Sequence, residues 1–106
     1  MNTPVDPLVD SLKIPPHSVE AEQSVLGGLL LDNAAWDKIA DFLSPADFYR
    51  FDHRQIFQHI AKLISVAKPA DVITVFESLT SGGKADDVGG ISYLNSLAQN
   101  TPSAAN

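Results

Sequence analysis

The stretch Asp52-His53-Arg54-Gln55-Ile56-Phe57-Gln58-His59-Ile60-Ala61-Lys62-Leu63-Ile64-Ser65-Val66-Ala67 (DHRQIFQHIAKLISVA) decides the fold class. Ile56, Phe57, Ile60, Leu63, Ile64 and Ala67 fall at i, i+1, i+4, i+7, i+8 and i+11, one stripe of a 3.6-residue period, whereas a half-buried strand would alternate. Asp52, with Gln55 three residues later, reads as the N-cap, and Lys68-Pro69 as the stop. A helix with one apolar stripe must bury it against other elements, so its neighbours should carry matching faces.

They do. Upstream, Ser44-Pro45-Ala46-Asp47 combines a capping hydroxyl, a Pro at the first helical position and a first-turn carboxylate, the signal for a helical turn that delivers Phe48, Tyr49 and Phe51. Asn33 is a competent cap for a short helix holding Ala34, Ala35, Trp36, Ile39 and Ala40, with Leu43 near its end. Ser18 caps a first helix to about Leu31, with Glu20 and Glu22 at the positive end of its dipole and Ala21, Val25, Leu26, Leu29 and Leu30 as its stripe. Gly27 and Gly28 inside that helix each cost about 1 kcal/mol relative to Ala, which predicts a compensating close approach by another backbone. Downstream, Asp71 starts a helix with Val72, Ile73, Val75, Phe76 and Leu79, halted by Ser81-Gly82-Gly83. Its β-branched residues admit a strand, but Val72, Ile73, Phe76 and Leu79 fit the helical period better. After Asp86-Asp87 and Gly89-Gly90 a last helix presents Ile91, Leu94 and Leu97, with Tyr93 and Ala98 beside them. The fold class is therefore all-α, a compact orthogonal bundle of five or six short helices. Residues 1–16, with Pro4, Pro7, Pro15 and Pro16, form a flexible tail, in which Val5, Leu8, Val9 and Leu12 still fall at helical spacing. Residues 17–100 form the helical domain, and 101–106, opening on Thr101-Pro102, start a further helix.

Composition bounds the function. The chain has 106 residues, enough for one core and too few for two independent domains. Thirteen acidic residues oppose seven Lys and Arg, a formal charge of −6, which disfavours a stand-alone DNA-binding domain. A hydrophobic fraction of 44% excludes an acidic disordered chain. Without cysteine there is no disulfide, thiolate metal site or cysteine nucleophile. The longest apolar run, Leu29-Leu30-Leu31, cannot span a bilayer, and the N-terminus lacks a secretion signal, so a cytoplasmic location with no membrane partner is expected.

The residues that could carry chemistry fit structural roles better. Gly82-Gly83-Lys84 resembles a phosphate loop only superficially, because Ser78 stands at the first Gly position, Ala85 follows Lys84 and no strand precedes it. His17, His53 and His59 form no H-x-x-x-H pair; the six-residue spacing of His53 and His59 puts the rings on different faces, His53 in the first turn and His59 on the solvent flank. Glu20/Glu22 and Asp86/Asp87 are neighbouring carboxylates of the kind usually solvated. No serine sits in a G-x-S-x-G turn. Arg50, Arg54 and Lys62 bracket Phe48, Tyr49 and Phe51 in a pattern that could stack bases, but Asp47 and Asp52 interleave, favouring core packing with snorkelling Arg side chains. No catalytic, cofactor-binding or metal-ligating residue is assigned. The remaining chemistry is association through apolar helix faces, with Trp36, Tyr93 and the Gly27-Gly28 helix as the positions to inspect.

Four ordered stretches then carry a resemblance: Pro15 to Asn33 (PPHSVEAEQSVLGGLLLDN); Asp47-Phe48-Tyr49 with His53-Arg54-Gln55-Ile56-Phe57; Val88-Gly89-Gly90-Ile91-Ser92-Tyr93-Leu94; and Asn100-Thr101-Pro102-Ser103-Ala104-Ala105-Asn106. Together they closely resemble the N-terminal domain of bacterial DnaB-type replicative DNA helicases. The resemblance implies a small all-α collar domain that pairs with neighbouring copies on a hexameric ring. Full-length members hydrolyse ATP with Mg and unwind duplex DNA 5′ to 3′ at the replication fork, and their N-terminal regions are associated with primase and helicase-loader recruitment. It further implies a helical hairpin after Thr101-Pro102, then a linker and an ATPase domain carrying the phosphate loop, so this stretch is the collar part and not itself an enzyme. The expected partners are other copies of the chain, dimer pairs for the fragment and a hexamer for the parent, with primase and loader engaged through the parent and DNA touched weakly if at all. The competing reading is a generic helical adaptor; an independent ATPase or an autonomous nucleic-acid binder fits the residues less well.

Overall fold

A computed structural model describes residues 18–100. The expectations for the 1–16 tail and its Val5 to Leu12 stripe, for His17, and for the start of a helix at Thr101-Pro102 lie outside the described residues.

Helix α1 spans Val19–Leu31; Ser18 caps it, its hydroxyl accepting the Ala21 N–H at 3.1 Å. A 3-10 turn (Asn33–Ala35) leads into the short α2 (Trp36–Ile39), and a second 3-10 turn (Pro45–Asp47) precedes α3 (Phe51–Ser65). Helix α4 covers Val72–Ser81, a third 3-10 turn Asp86–Val88, and α5 Gly90–Asn100. Among the described residues every regular element is helical, so the β-branched run at 72–75 belongs to a helix and the all-α expectation holds. Helix α1 lies against α5 and α3, and α4 closes the other side against the same two helices.

The core is one cluster: Leu26, Leu29 and Leu30 from α1, Phe48, Ile56, Phe57 and Ile60 from the α3 region, Val75 and Leu79 from α4, and Leu94 and Leu97 from α5, joined by Ala70 and Val88. Phe57 sits centrally, its ring centroid 4.9 Å from Phe48 and 5.2 Å from Trp36. Removing apolar surface from water contributes roughly 25 cal/mol per Å², and this shared cluster is where that stabilisation concentrates. Two stripes differ in detail from the sequence expectation. Ala21 is exposed and Glu22 holds the buried position, and Ile73 is exposed because α4 turns Val75 and Leu79 inward.

The helix ends show which local signals won. Asp71 forms a reciprocal cap with Thr74: its carboxylate accepts the Thr74 N–H at 2.9 Å, and the Thr74 hydroxyl accepts the Asp71 N–H at 2.8 Å. Asp52 is not the cap of α3. The helix begins one residue earlier, and the Asp52 carboxylate pairs with the Arg50 guanidinium and accepts the His53 N–H at 2.7 Å. Asn33 is not a cap either. Asp32 caps the following turn by accepting the Ala34 N–H, which frees the Asn33 amide for a longer-range task. Its Nδ2 donates to the carbonyls of Leu29 (2.8 Å) and Ala70 (2.9 Å), and its Oδ1 accepts the Ala70 N–H at 2.8 Å, tying the end of α1 to the entry of α4.

Helices α3 and α4 end in the same hydrogen-bond pattern. Lys68 N–H donates to the Leu63 carbonyl and Ala67 N–H to that of Ile64; Lys84 N–H donates to Leu79 and Gly83 N–H to Thr80. Both are Schellman endings, which require a left-handed residue just past the cap. Gly83 supplies it at φ 72, whereas α3 uses Ala67 at φ 61. Gly82-Gly83-Lys84 is thus a helix stop. The expected close backbone approach at Gly28 is not found, since a Cβ there would meet no atom within 4 Å; its neighbour Gly27 is buried.

Candidate functional site

Where α1, α3 and α5 begin, three polar side chains meet inside the protein. Glu22 lies one turn into α1 at i relative to Leu26 (i+4) and Leu29 (i+7), so the helix that buries those leucines buries its carboxylate too. His53 relates in the same way to Ile56, Phe57 and Ile60 and is 0% exposed. Tyr93 enters from the first turn of α5, where Gly89 at φ 89 leaves room for it; a Cβ on Gly89 would lie 2.8 Å from the Tyr93 Cβ.

The hydrogen bonds form one directed chain. Gln23 Nε2 donates to the Tyr93 hydroxyl at 3.1 Å, the hydroxyl meets His53 Nε2 at 2.5 Å, and His53 Nδ1 meets Glu22 Oε1 at 2.7 Å. A neutral His53 with its proton on Nδ1 satisfies every member: the phenol donates to Nε2, and Nδ1–H donates to the carboxylate. Glu22 Oε2 accepts the Tyr49 N–H at 2.6 Å, so a side chain on α1 satisfies a backbone donor at the entry to α3. Burial opposes the charged carboxylate, but the Tyr49 N–H, the His53 hydrogen bond and the Arg50 N–H outweigh it and hold the Glu22 carboxyl below its ordinary value. The His53 and Tyr93 rings stack at 5.8 Å and 11°, and the Arg50 guanidinium lies 5.6 Å above the Tyr93 ring. The hydrogen bond to Asp52 raises the Arg50 pKa against the opposing effect of burial. Among the described residues no buried side-chain polar atom lacks a partner.

This arrangement corrects two expectations. Glu22 is not a solvated first-turn carboxylate, and His53, although in the first turn, belongs to the core. Glu22 and His53 were recognisable as polar residues occupying positions of an apolar stripe, a more telling signal than the pairing of neighbouring carboxylates. The relay joins carboxylate, imidazole and phenol, but its groups terminate on one another, on the Gln23 side-chain amide and on backbone amides; the arrangement clamps three helices together.

A cavity of about 620 Å³ lies elsewhere, as a groove between α3 and α4. His59 lines it, half-buried, with Nδ1 2.7 Å from the Ser78 hydroxyl, so it is not the solvent-flank residue expected. Burial, and then the charge of Lys62, lower its pKa. Lys62 and Lys68 stand on the α3 side of the groove and Glu77 on the α4 side. The aromatic group splits: Phe48 is in the core, whereas Tyr49 and Phe51 are 59% and 53% exposed. Arg54 donates from Nε to the Phe48 carbonyl at 2.6 Å and from a terminal nitrogen to that of Tyr49 at 3.2 Å, bracing the turn. Trp36 is half-buried against Phe57. Among the described residues no group of three or more His, Cys, Asp or Glu could hold a metal ion, and no helix is long and apolar enough to cross a membrane.

Known proteins share this framework. The chain is 53% identical over 95 residues to the replicative DNA helicase DnaB of Buchnera aphidicola from Acyrthosiphon pisum, which covers 90% of the chain and 21% of that protein. Over 103 residues it is 48% identical to DnaB of Pasteurella multocida, covering 97% of the chain and 22% of the relative. The chain thus spans about a fifth of the length of the curated relatives it matches. The crystal structure of the N-terminal domain of DnaB helicase from Mycobacterium tuberculosis superposes with a TM-score of 0.82 at 41% identity, covering 87% of this chain and 66% of that one. The match to the family described as "DnaB-like helicase N terminal domain" runs over residues 14–106, taking in all three partners of the buried relay. With sequence, fold and family match in agreement, the chain belongs to the DnaB-like helicase N-terminal domain family.

Proposed function

We propose that this chain is the collar and scaffold region of a replicative DNA helicase, a non-catalytic module whose work is to associate with other copies of itself and with replication partners. The observation that carries the reading is the resemblance over 90% or more of the chain to replicative helicases of which it makes up about a fifth. The geometry supports it: the polar cluster is spent on holding α1, α3 and α5 together, while Phe42, Tyr49, Phe51 and Ile73 remain exposed for contact. In this reading residues 17–100 are the collar domain, residues 1–16 a leader and residues 101–106 the entry to a helical hairpin. ATP and Mg act in a separate ATPase region of the parent protein, which unwinds DNA 5′ to 3′ in the cytoplasm at the replication fork. Hexamer assembly, and contacts with primase and a helicase loader, belong to the parent, with dimer pairs as the fragment's own association. The acidic surface, at a formal charge of −6, suits protein contacts better than DNA tracking.

Sedimentation velocity across micromolar to millimolar concentration tests the reading. Reversible pairing is expected, and a strict monomer throughout would remove the built-in association surface. Titration with Mg-ATP, expected to show no saturable binding, separates the scaffold from an independent ATPase.

A further inference from the structure

The scaffold reading gives the groove between α3 and α4 no use, yet its lining is chemically two-sided. Leu63, Val66 and Pro69 form an aliphatic wall, and Val66 stands 57% exposed at the end of α3. The Schellman ending fixes that wall: the Lys68 N–H donates to the Leu63 carbonyl, folding the chain back so that Lys68 and Pro69 line the groove with Leu63.

Lys62 and Lys68 rim the same wall, and among the described residues neither forms an ion pair. Arg50 is held by Asp52 and Arg54 by backbone carbonyls, so on a chain of formal charge −6 these two lysines make a local reversal of sign. His59 adds a donor. Its Nδ1 lies 2.7 Å from the Ser78 hydroxyl, and its Nε2 has no hydrogen bond among the described residues. When Ser78 donates to Nδ1, the ring proton of the neutral imidazole sits on Nε2.

Occupants fit this chemistry unequally. A nucleic acid needs rings or guanidinium planes on which its bases stack, and here the wall is aliphatic and both arginines are engaged elsewhere. The volume of about 620 Å³ lies within the roughly 300–1,000 Å³ of sites that hold small ligands, which suits a few residues of peptide. An aliphatic side chain between carboxylates matches the wall and the lysines together. Glu77 on the α4 side repels carboxylates there and so directs them toward α3.

We propose that the α3–α4 groove binds a short acidic segment of a partner protein, seating an aliphatic side chain on Leu63, Val66 and Pro69 and flanking carboxylates on Lys62 and Lys68. The inference deepens the scaffold reading by naming the chemistry of one partner, and rests on that reading only in that the chain associates with other proteins.

The probe is the synthetic peptide Glu-Asp-Leu-Leu-Asp-Glu, blocked at both ends and titrated into the isotope-labelled full chain. Saturable shifts are expected in the amide signals of Leu63, Val66, Lys68 and Ser78, and none in that of Asp37. The bound carboxylates should also raise the His59 pKa, read from its ring signals, because a facing anion favours the charged imidazole; Lys62, Lys68 and Glu77 are the other charged groups lining the groove. Lys62→Glu with Lys68→Glu should weaken binding about tenfold, and Glu77→Lys should tighten it about threefold. All three side chains are exposed, so these variants should fold. A peptide with serines in place of the leucines should bind about tenfold more weakly.

Absence of saturable shifts at the groove would overturn the proposal. So would equal binding of the serine peptide, which would reduce the contact to charge alone, or the same shifts with a thymidine oligonucleotide of equal charge, which would make nucleic acid the occupant. Groove signals that move on dilution without peptide would assign the site to a second copy and overturn it too. Sedimentation without peptide reads self-association separately, so failure of the groove and failure of the scaffold reading are told apart.

Discussion

Replacing Glu22 by Ala should destabilise the protein by about 2–6 kcal/mol, the sum for two donors left without their shared acceptor. The estimate follows from what is left behind. The Tyr49 N–H and the His53 Nδ1–H lose acceptors at 2.6 and 2.7 Å, and each stranded buried donor costs about 1–3 kcal/mol. The Arg50 N–H, at 3.5 Å, is a marginal contact and adds little. Glu22→Gln keeps an oxygen for Tyr49 and forces His53 to exchange tautomers, so the loss should be about 1–2 kcal/mol. Tyr93→Phe removes the hydroxyl at the far end of the same imidazole and should cost a similar amount. Because both act through His53, the Glu22→Ala/Tyr93→Phe double variant should depart from additivity by more than about 0.5 kcal/mol. Urea unfolding followed by circular dichroism reads all of these values. The acid limb supplies an independent check. The Glu22 carboxyl ionises near 4.5 in the unfolded chain and lower in the folded one, so its stabilisation is complete above that value and lost as pH falls through the folded pKa. Glu22→Gln should flatten that part of the profile. Glu22→Ala within about 0.5 kcal/mol of the parent would refute the buried clamp, since a solvated surface carboxylate behaves that way.

Three further outcomes are expected. Ala67→Gly should stabilise by about 0.5–1 kcal/mol, the left-handed penalty on Ala less the entropy cost of Gly, whereas Gly83→Ala at the matching position of α4 should destabilise by a similar amount; denaturant midpoints compare the two. Asn33→Ala should cost about 2–3 kcal/mol in the same assay, because the backbone donor and acceptor of the buried Ala70 lose their partners; Asn33→Asp should not rescue it, since a carboxylate cannot donate to the two carbonyls. His59, whose folded pKa lies below the ordinary 6.5, should withdraw stability as pH falls through that value, because the unfolded chain takes up the proton first; His59→Gln should remove the dependence in thermal melts run between pH 5 and 8.

The helices were legible because their signals are local. The stripe of Ile56, Phe57 and Ile60, the Asp71 cap and the glycines after Ser81 each act over one or two turns, within the reach of periodicity and capping rules. What those rules could not resolve was competition between neighbours. Asp32 and Asn33 are both good caps, and only the position of Ala70, 37 residues away, assigns Asn33 to bridging. Asp52 reads as a cap until Arg50 claims its carboxylate. The buried relay was half legible: Glu22 and His53 stand on apolar stripes, which marks them as buried, but their pairing depends on how α1, α3 and α5 come together. Tyr49 and Phe51 follow the core residue Phe48 in sequence yet face solvent, because the turn into α3 can bury only one of the three.

The relay has a kinetic consequence. Its contacts bridge 31 residues between Glu22 and His53 and 40 between His53 and Tyr93, so they form only after two long segments have closed. Interactions of that separation tend to be absent from the rate-limiting ensemble and present in the finished molecule. Weakening them should therefore steepen escape from the native basin far more than it slows entry, leaving the refolding arm of a chevron nearly in place while the unfolding arm rises. Residence time in the folded state would then rest on the contacts that His53, wholly screened from solvent, makes with Glu22 and Tyr93.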